Sequence, residues 1–240
     1  DIPCGSVCEL GSVSFPLFAV TTAQKLTLTL CVAGTAFQNR YSIWVYPAAV
    51  DTTPADDVHI LREFDERTRQ IVEGGGTVLL LPKVDQLQDA IMGSFQCDFW
   101  CWPMFRRAAL RAGVEVAPGT LGILCDPTHA ALAEFPTEFH SNWQWWHLVK
   151  HSRPIILDET ECVFRPIVQV IDNFARNHKL GILFECRVGA GKLLVCSIDL
   201  LNHQEKPEAR QFLFSLLSYA QSESFLPAHT IEAAALGCLL

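Results

Sequence analysis

Hydrophobic and polar residues alternate with a period of two in KLTLTLCVAG, residues 25–34. Leu26, Leu28, Leu30 and Val32 stand against Lys25, Thr27, Thr29 and Cys31. That period predicts a half-buried strand. YSIWVYP, residues 41–47, predicts a second strand, rich in aromatic and β-branched residues and stopped by Pro47. GTAFQNR between them reads as a connecting loop. VSFPLFAV, residues 13–20, is broken by Pro16 and reads as an edge strand. Three short strands cannot cover both faces of a sandwich. Residues 1–49 are therefore expected to be the C-terminal strands of a truncated β-sandwich domain.

From about residue 50 the pattern changes. DVHILREF (57–64) is apolar enough for a strand, and Asp65 is placed to cap a helix that runs through Ile71 and Val72 to Gly74. TVLLLP (77–82) is a continuous apolar run, the mark of a strand buried on both faces. WPMFRRAALRAG (102–113) predicts a helix, GTLGILCDP (119–127) a buried strand and NWQWWHLVKHS (142–152) a helix. Strands follow at 154–158, 166–172, 179–188 and 192–200, the last two joined by the turn GAG. PEARQFLFSLLSYAQSESF (207–225) predicts a closing amphipathic helix with Pro207 in its first turn. A strand–helix–buried strand order reads as a βαβ unit. The expectation for residues 50–227 is an α/β domain with a mostly parallel sheet and flanking helices, followed by a tail over 228–240.

Composition narrows the function classes. Half of the 240 residues are hydrophobic, which is ample for a core. The net charge is −8 and Lys and Arg form no stripe, which argues against a nucleic-acid groove. No apolar run reaches the roughly 18 residues of a spanning helix, so no membrane span is expected. The chain opens DIPCGS without a methionine and reads as a piece of a longer polypeptide. Ten cysteines include two CxxxC pairs, Cys4/Cys8 and Cys97/Cys101, but no CxxC knuckle of the kind structural zinc sites use. Cys31, Cys125, Cys186 and Cys196 lie in apolar runs and are expected to be small buried hydrophobes. Eight histidines show no HxH or HExxH spacing, so no metal and no cofactor is expected.

Several motifs invite a chemical reading. GGG at 74–76 leads out of a helix into a strand, the reverse of a phosphate cradle, and reads as a cap and turn. GAGK at 189–192 resembles the end of a Walker loop. It lacks the earlier glycine of GxxxxGK and has no Ser or Thr after Lys192, so it reads as a hairpin. Cys125, at the end of a strand, has His129 and Glu134 close behind it. A nucleophile elbow needs small residues two positions either side, and these positions hold Ile123 and Pro127. Glu134 with Glu138, and Asp158 with Glu159 and Glu161, are carboxylate groupings that also fit solvated loops. No catalytic residue is assigned. Cys125 and His129 are the candidates.

FPTEFHSNWQWWHL, residues 135–148, packs three tryptophans, two phenylalanines and two histidines into fourteen positions. On a helix from Asn142, Trp143 and Trp146 share one face and Trp145 points elsewhere. FWCWPMF (99–105) is a second concentration of rings. Stacking faces with hydrogen-bonding neighbours fit a saccharide site. The candidate substrate-binding residues are Trp100, Trp102, Glu138, His140, Asn142, Trp143, Trp145 and Trp146. The same rings fit an inter-domain surface or plain core, and that reading is favoured because tryptophan buries area wherever it stands.

NRYSIWVYP, GGGTVLLLP, FWCWPMF, GTLGILCDPTHAALAEFPTEFHSNWQWW, RPIVQVIDNFARNHKLGILFE and GAGKLLVCSIDL follow one another in this order. Together they resemble the C-terminal region of long bacterial glycoside hydrolase family 2 proteins, the β-galactosidase-like enzymes. The likeness runs from about Lys25 to Pro227. It implies the end of a β-sandwich followed by a flavodoxin-like domain similar to the class I glutamine amidotransferases. It implies an exported parent, periplasmic or extracellular, whose catalytic glutamates lie in a barrel that no segment here matches. The implied function is an accessory, non-catalytic region that packs on the remaining domains of the parent glycosidase and contributes to carbohydrate binding. Two alternatives stand beside it. One is a hydrolase in its own right, using an amidotransferase-like Cys125/His129 site. The other is a stand-alone carbohydrate-binding module using Trp143, Trp145 and Trp146.

Overall fold

The computed structural model describes residues 4–95, 102–113, 119–174 and 176–240. The alternating stretch forms β1 (Gln24–Cys31), paired antiparallel with β2 (Gln38–Val45), with Gln24 opposite Val45 and Cys31 opposite Gln38. The connecting loop is shorter than its polar composition predicts, because Gln38, Asn39 and Arg40 join the ladder. Gly34, at φ +76°, supplies the left-handed residue of the turn, and Thr35 N–H donates to the Val32 carbonyl. Residues 13–20 form no strand. A turn from Leu17 to Val20 closes that stretch instead.

The remaining elements are β3 (Val58–Leu61), α1 (Glu66–Glu73), β4 (Thr77–Leu80), α2 (Trp102–Arg111), β5 (Gly122–Cys125), a 3-10 turn over Ala130–Leu132, α3 (Trp143–Lys150), β6 (Ile155–Ile156), β7 (Val168–Ile171), β8 (Lys179–Val188), β9 (Gly191–Cys196), α4 (Pro207–Ala220) and α5 (Ala233–Leu239). The seven strands from β3 onward form one sheet in the order β3-β4-β9-β8-β7-β5, with β6 on β8. Only β3/β4 and β4/β9 are parallel; β9/β8, β8/β7, β7/β5 and β6/β8 are antiparallel. This overturns the expected flavodoxin-like, mostly parallel sheet. Among the described residues, helices make up 21% and strands 26%, too little helix for a crossover after every strand.

The apolar runs misled for a physical reason. They report burial on both faces, not strand direction. Val78 and Leu80 of β4 enter one core cluster, with Val72 of α1 and Leu236 and Leu239 of α5. Leu79 and Leu81 enter the other, with Leu148 of α3 and Phe212, Leu213 and Leu216 of α4. A sheet clothed on both sides gives the same sequence pattern whichever way its strands run. A bulge adjusts the register in β8. Val168 faces Leu183 while Gln169 faces Gly181, so one extra residue lies on β8. Leu180 and Leu183, three apart, therefore reach the same core cluster.

The two glycine-rich motifs meet. The Lys192 N–H donates to the Gly76 carbonyl and the Ala190 N–H to that of Glu73. A Cβ on Gly191 would stand 2.1 Å from the Val72 carbonyl oxygen and 2.5 Å from that of Gly76. Glycine is used here for close backbone approach at the α1–β4 and β8–β9 turns, not for a phosphate. Residues 228–240, expected as a tail, dock on the sheet. The Ile231 N–H donates to the Arg187 carbonyl, and α5 buries Leu236 and Leu239. Among the described residues no helix is long and apolar enough to cross a membrane.

Candidate functional site

Three regions carry chemistry. The first is built by the ring-rich stretch. Asn142 caps α3, its side chain accepting from the Gln144 N–H at 3.2 Å. The helix then sorts its tryptophans by phase. Trp145 is fully buried, with its ring edge-on to Phe135 and Phe212 and its indole N–H donating to Thr137 at 2.8 Å. Trp143 is 80% exposed and Trp146 44%. Trp146 stacks on Phe95 at 5.6 Å, and Lys150 lies 5.2 Å from its ring centre.

The hairpin β1–β2 docks beside this helix. Lys25 pairs with Glu138 at 2.5 Å, and the Tyr46 hydroxyl donates to Gln144. Burial, with a smaller effect of Glu208, holds the Tyr46 phenol above its ordinary pKa, so it stays a donor. The hydrogen bond from Lys25 is the main reason the Glu138 carboxyl lies below its usual range. Between hairpin and helix runs an open groove of about 460 Å³. Tyr41, Trp44, Phe95, Trp143 and Trp146 are its rings, and Arg40 and Asn142 are among its hydrogen-bonding groups. The Trp44 indole N–H is buried without a protein acceptor.

The predicted substrate residues are thus divided. Asn142, Trp143 and Trp146 line the groove. Glu138 is paired with Lys25, and His140 is exposed, its Nδ1 2.9 Å from the Ser141 carbonyl; neither lines the groove. Trp145 is core and unavailable to a ligand. Trp102 opens α2, and Trp100 lies outside the described residues. Arg40, Trp44 and Phe95 were missed, because nothing local in the sequence says that the hairpin folds against α3.

The second region holds Cys125 and His129, which line a cleft of about 370 Å³ with Arg165, Gln169, Glu185 and His229. The Cys125 thiol donates to the Glu138 carbonyl at 3.3 Å. Burial, then Asp126, pushes its pKa up to about 11. His129 is occupied as well: its Nδ1 accepts from the Ala131 N–H at 3.2 Å. A neutral, hydrogen-bonded thiol beside a capping histidine is the opposite of an activated nucleophile. Of the other cysteines expected to be buried, Cys186 and Cys196 are buried and Cys31 is exposed. Cys97 and Cys101 lie outside the described residues.

The third region was not legible from HxH or HExxH spacing. His147 on α3 and His151, which caps the C-terminus of α3, meet His203 from the loop after β9. Ring centres lie 4.1 Å apart for His147 and His151 and 4.0 Å for His151 and His203. Burial, then the neighbouring His151, holds His147 below the usual histidine pKa, which favours the neutral ring. The local signal was present: His147 and His151 are four apart in a stretch read as helix, the spacing that puts two imidazoles on one face.

No curated protein matches the chain. The family described as Domain of unknown function (DUF8488) matches residues 1–47, which include β1 and β2. Residues 59–240, from β3 to the end of α5, match the family described as Domain of unknown function (DUF8487), and the chain belongs to that family.

Proposed function

We propose that this chain is the accessory, non-catalytic C-terminal region of a β-galactosidase-like glycoside hydrolase, packing on the catalytic part and contributing a carbohydrate-binding groove. The observation that carries the reading is the groove between β2 and α3. An open tryptophan face at Trp143 is flanked by Arg40, Ser42, Ser141 and Asn142. Stacking faces with hydrogen-bonding edges suit a sugar, whose rings have an apolar C–H face and a rim of hydroxyls. The sequence resemblance to family 2 glycosidases supports the same reading.

Two further features support an accessory role. The hairpin leaves Leu30, Phe37, Tyr41 and Ile43 exposed. An apolar ribbon of this kind suits pairing with further strands of the same sandwich in the parent. The state of Cys125 counts against hydrolysis by an amidotransferase-like Cys/His pair.

Affinity electrophoresis through gels containing galactan, cellulose derivatives or polyuronate tests the proposal. Retardation by a galactose-containing polymer, abolished in Trp143→Ala and retained in His140→Ala, is expected. Equal mobility in every gel by a folded chain would refute the carbohydrate role.

A further inference from the structure

We propose that His147, His151 and His203 bind a divalent transition-metal ion of the zinc type. One ligand nitrogen from each imidazole lies within 4.8 Å of the other two. Tetrahedral zinc with Zn–N bonds of about 2.0–2.1 Å needs nitrogens about 3.4 Å apart. Closure on an ion therefore requires the rings to draw in by an amount on the order of 1 Å, within side-chain adjustment.

The scaffold holds the three rings at one place. His147 lies in the last turn of α3 and His151 is the C-cap four residues on, its Nδ1 next to the His147 carbonyl oxygen. The loop bearing His203 is fixed to the end of that helix. The Asp199 N–H donates to the His151 carbonyl at 2.8 Å, and Ser152 forms a bridge with Ile198. His203 is held in its own turn by the bond from its N–H to the Leu200 carbonyl.

The lone pairs are also arranged. His151 Nδ1 lies 2.9 Å from the His147 carbonyl oxygen. A carbonyl only accepts, so Nδ1 carries the proton and Nε2 carries the free pair. His203 Nδ1 stands 3.7 Å from the Glu205 carboxylate. The His151 contact is the kind of backing hydrogen bond that orients a metal-bound imidazole, and Glu205 adds a negative charge near His203. His147 Nε2 is buried and has no hydrogen-bond partner. An orphaned ring nitrogen beside two other imidazoles is an independent sign of a ligand. The donor set decides the class of ion. Three imidazole nitrogens suit zinc, cobalt, nickel or copper, whereas magnesium and calcium take oxygen ligands. With three protein ligands the fourth position is left for water or a further ligand.

The test uses the intact chain with every accessible thiol blocked by N-ethylmaleimide, among the described residues the exposed Cys4, Cys8, Cys31, Cys162 and Cys238. It is dialysed against cobalt(II), and bound metal is read by atomic emission and by visible absorption. One cobalt per chain is expected, with a d–d spectrum free of thiolate charge transfer. Affinity should fall at least about 10-fold in His203→Ala and in His151→Ala. His203→Gln serves as a second variant that keeps the size and polarity of the loop residue, and circular dichroism checks that each is folded. Absence of cobalt from the folded chain, or equal binding by His203→Gln and wild type, would overturn the proposal. Neither result bears on the carbohydrate groove, which lies toward the opposite end of α3.

Discussion

Trp143 and Trp145 stand two residues apart and have opposite roles. Trp145 is sealed between Phe135 and Phe212, with its N–H bonded to Thr137. Trp145→Ala should cost roughly 3–5 kcal/mol in urea unfolding, through lost burial and an open cavity. Trp143, on the surface, should cost no more than about 0.5 kcal/mol when changed to alanine. Comparable losses from the two would show that the helix phase is misplaced. Cys125 gives a pH prediction. Its thiolate appears only as pH approaches about 11. Iodoacetamide at pH 8 should therefore label Cys4, Cys8 and Cys31 well before Cys125, with Cys125 catching up only in strong alkali; mass spectrometry of digests reads this directly. At this scale the sequence was informative where geometry is local. Helical phase alone separated Trp145 from Trp143 and Trp146. It could not bring in Trp44, Phe95 or His203, whose places depend on contacts between distant segments.

Among the elements, position and burial were readable, and so was direction where a helix crossover or a tight turn fixes it, as in parallel β3/β4 and the β8/β9 hairpin; the direction of the other strands was not. The continuous apolar runs marked β4, β8 and β9 because both sheet faces are covered. Parallel and antiparallel neighbours bury the same side chains, so the mixed order escaped. The glycine turns were identified as structural from their order relative to helix and strand. Their mutual contact makes a sharper prediction. Gly191→Ala would drive a methyl into the Val72 and Gly76 carbonyls and should destabilise by about 1–3 kcal/mol in thermal unfolding. A neutral effect would mean that α1 and the β8–β9 turn do not touch.

The docking of the hairpin has its own pH signature. The Glu138 carboxyl is depressed, first by its hydrogen bond from Lys25. A depressed carboxyl stabilises the folded form fully above its unfolded pKa and loses that contribution as pH falls through the lowered value. The pair is half-exposed, so its worth is at most about 1 kcal/mol. The protection factors of the β1 and β2 amides, with rates corrected for the intrinsic slowing of exchange in acid, should fall on going from pH 6 to pH 3, and Glu138→Gln should remove that pH dependence without unfolding the sheet. Exchange with the same pH dependence in both proteins would separate the hairpin from Glu138.

The whole molecule is a mixed sheet between two apolar layers, with a hairpin anchored at one end of α3 and three histidines gathered at the other. Its last residues are structural. Leu236 is fully buried in α5, so Leu236→Ala should cost roughly 2–5 kcal/mol. Deletion of residues 228–240 should lower Tm and increase binding of an apolar dye; an unchanged Tm would make α5 dispensable. The short apolar segment AAALGCLL gave no sign of this, since its length fits neither a membrane span nor an ordinary core helix. The central claim is that the groove between β2 and α3 holds a saccharide. The most direct test is titration of the intrinsic tryptophan fluorescence with galactosides, glucosides and uronides. The account predicts a saturable change with a galactoside that disappears in Trp143→Ala and persists in His203→Gln. A flat titration in the folded chain, or a saturable change that survives Trp143→Ala, would contradict it.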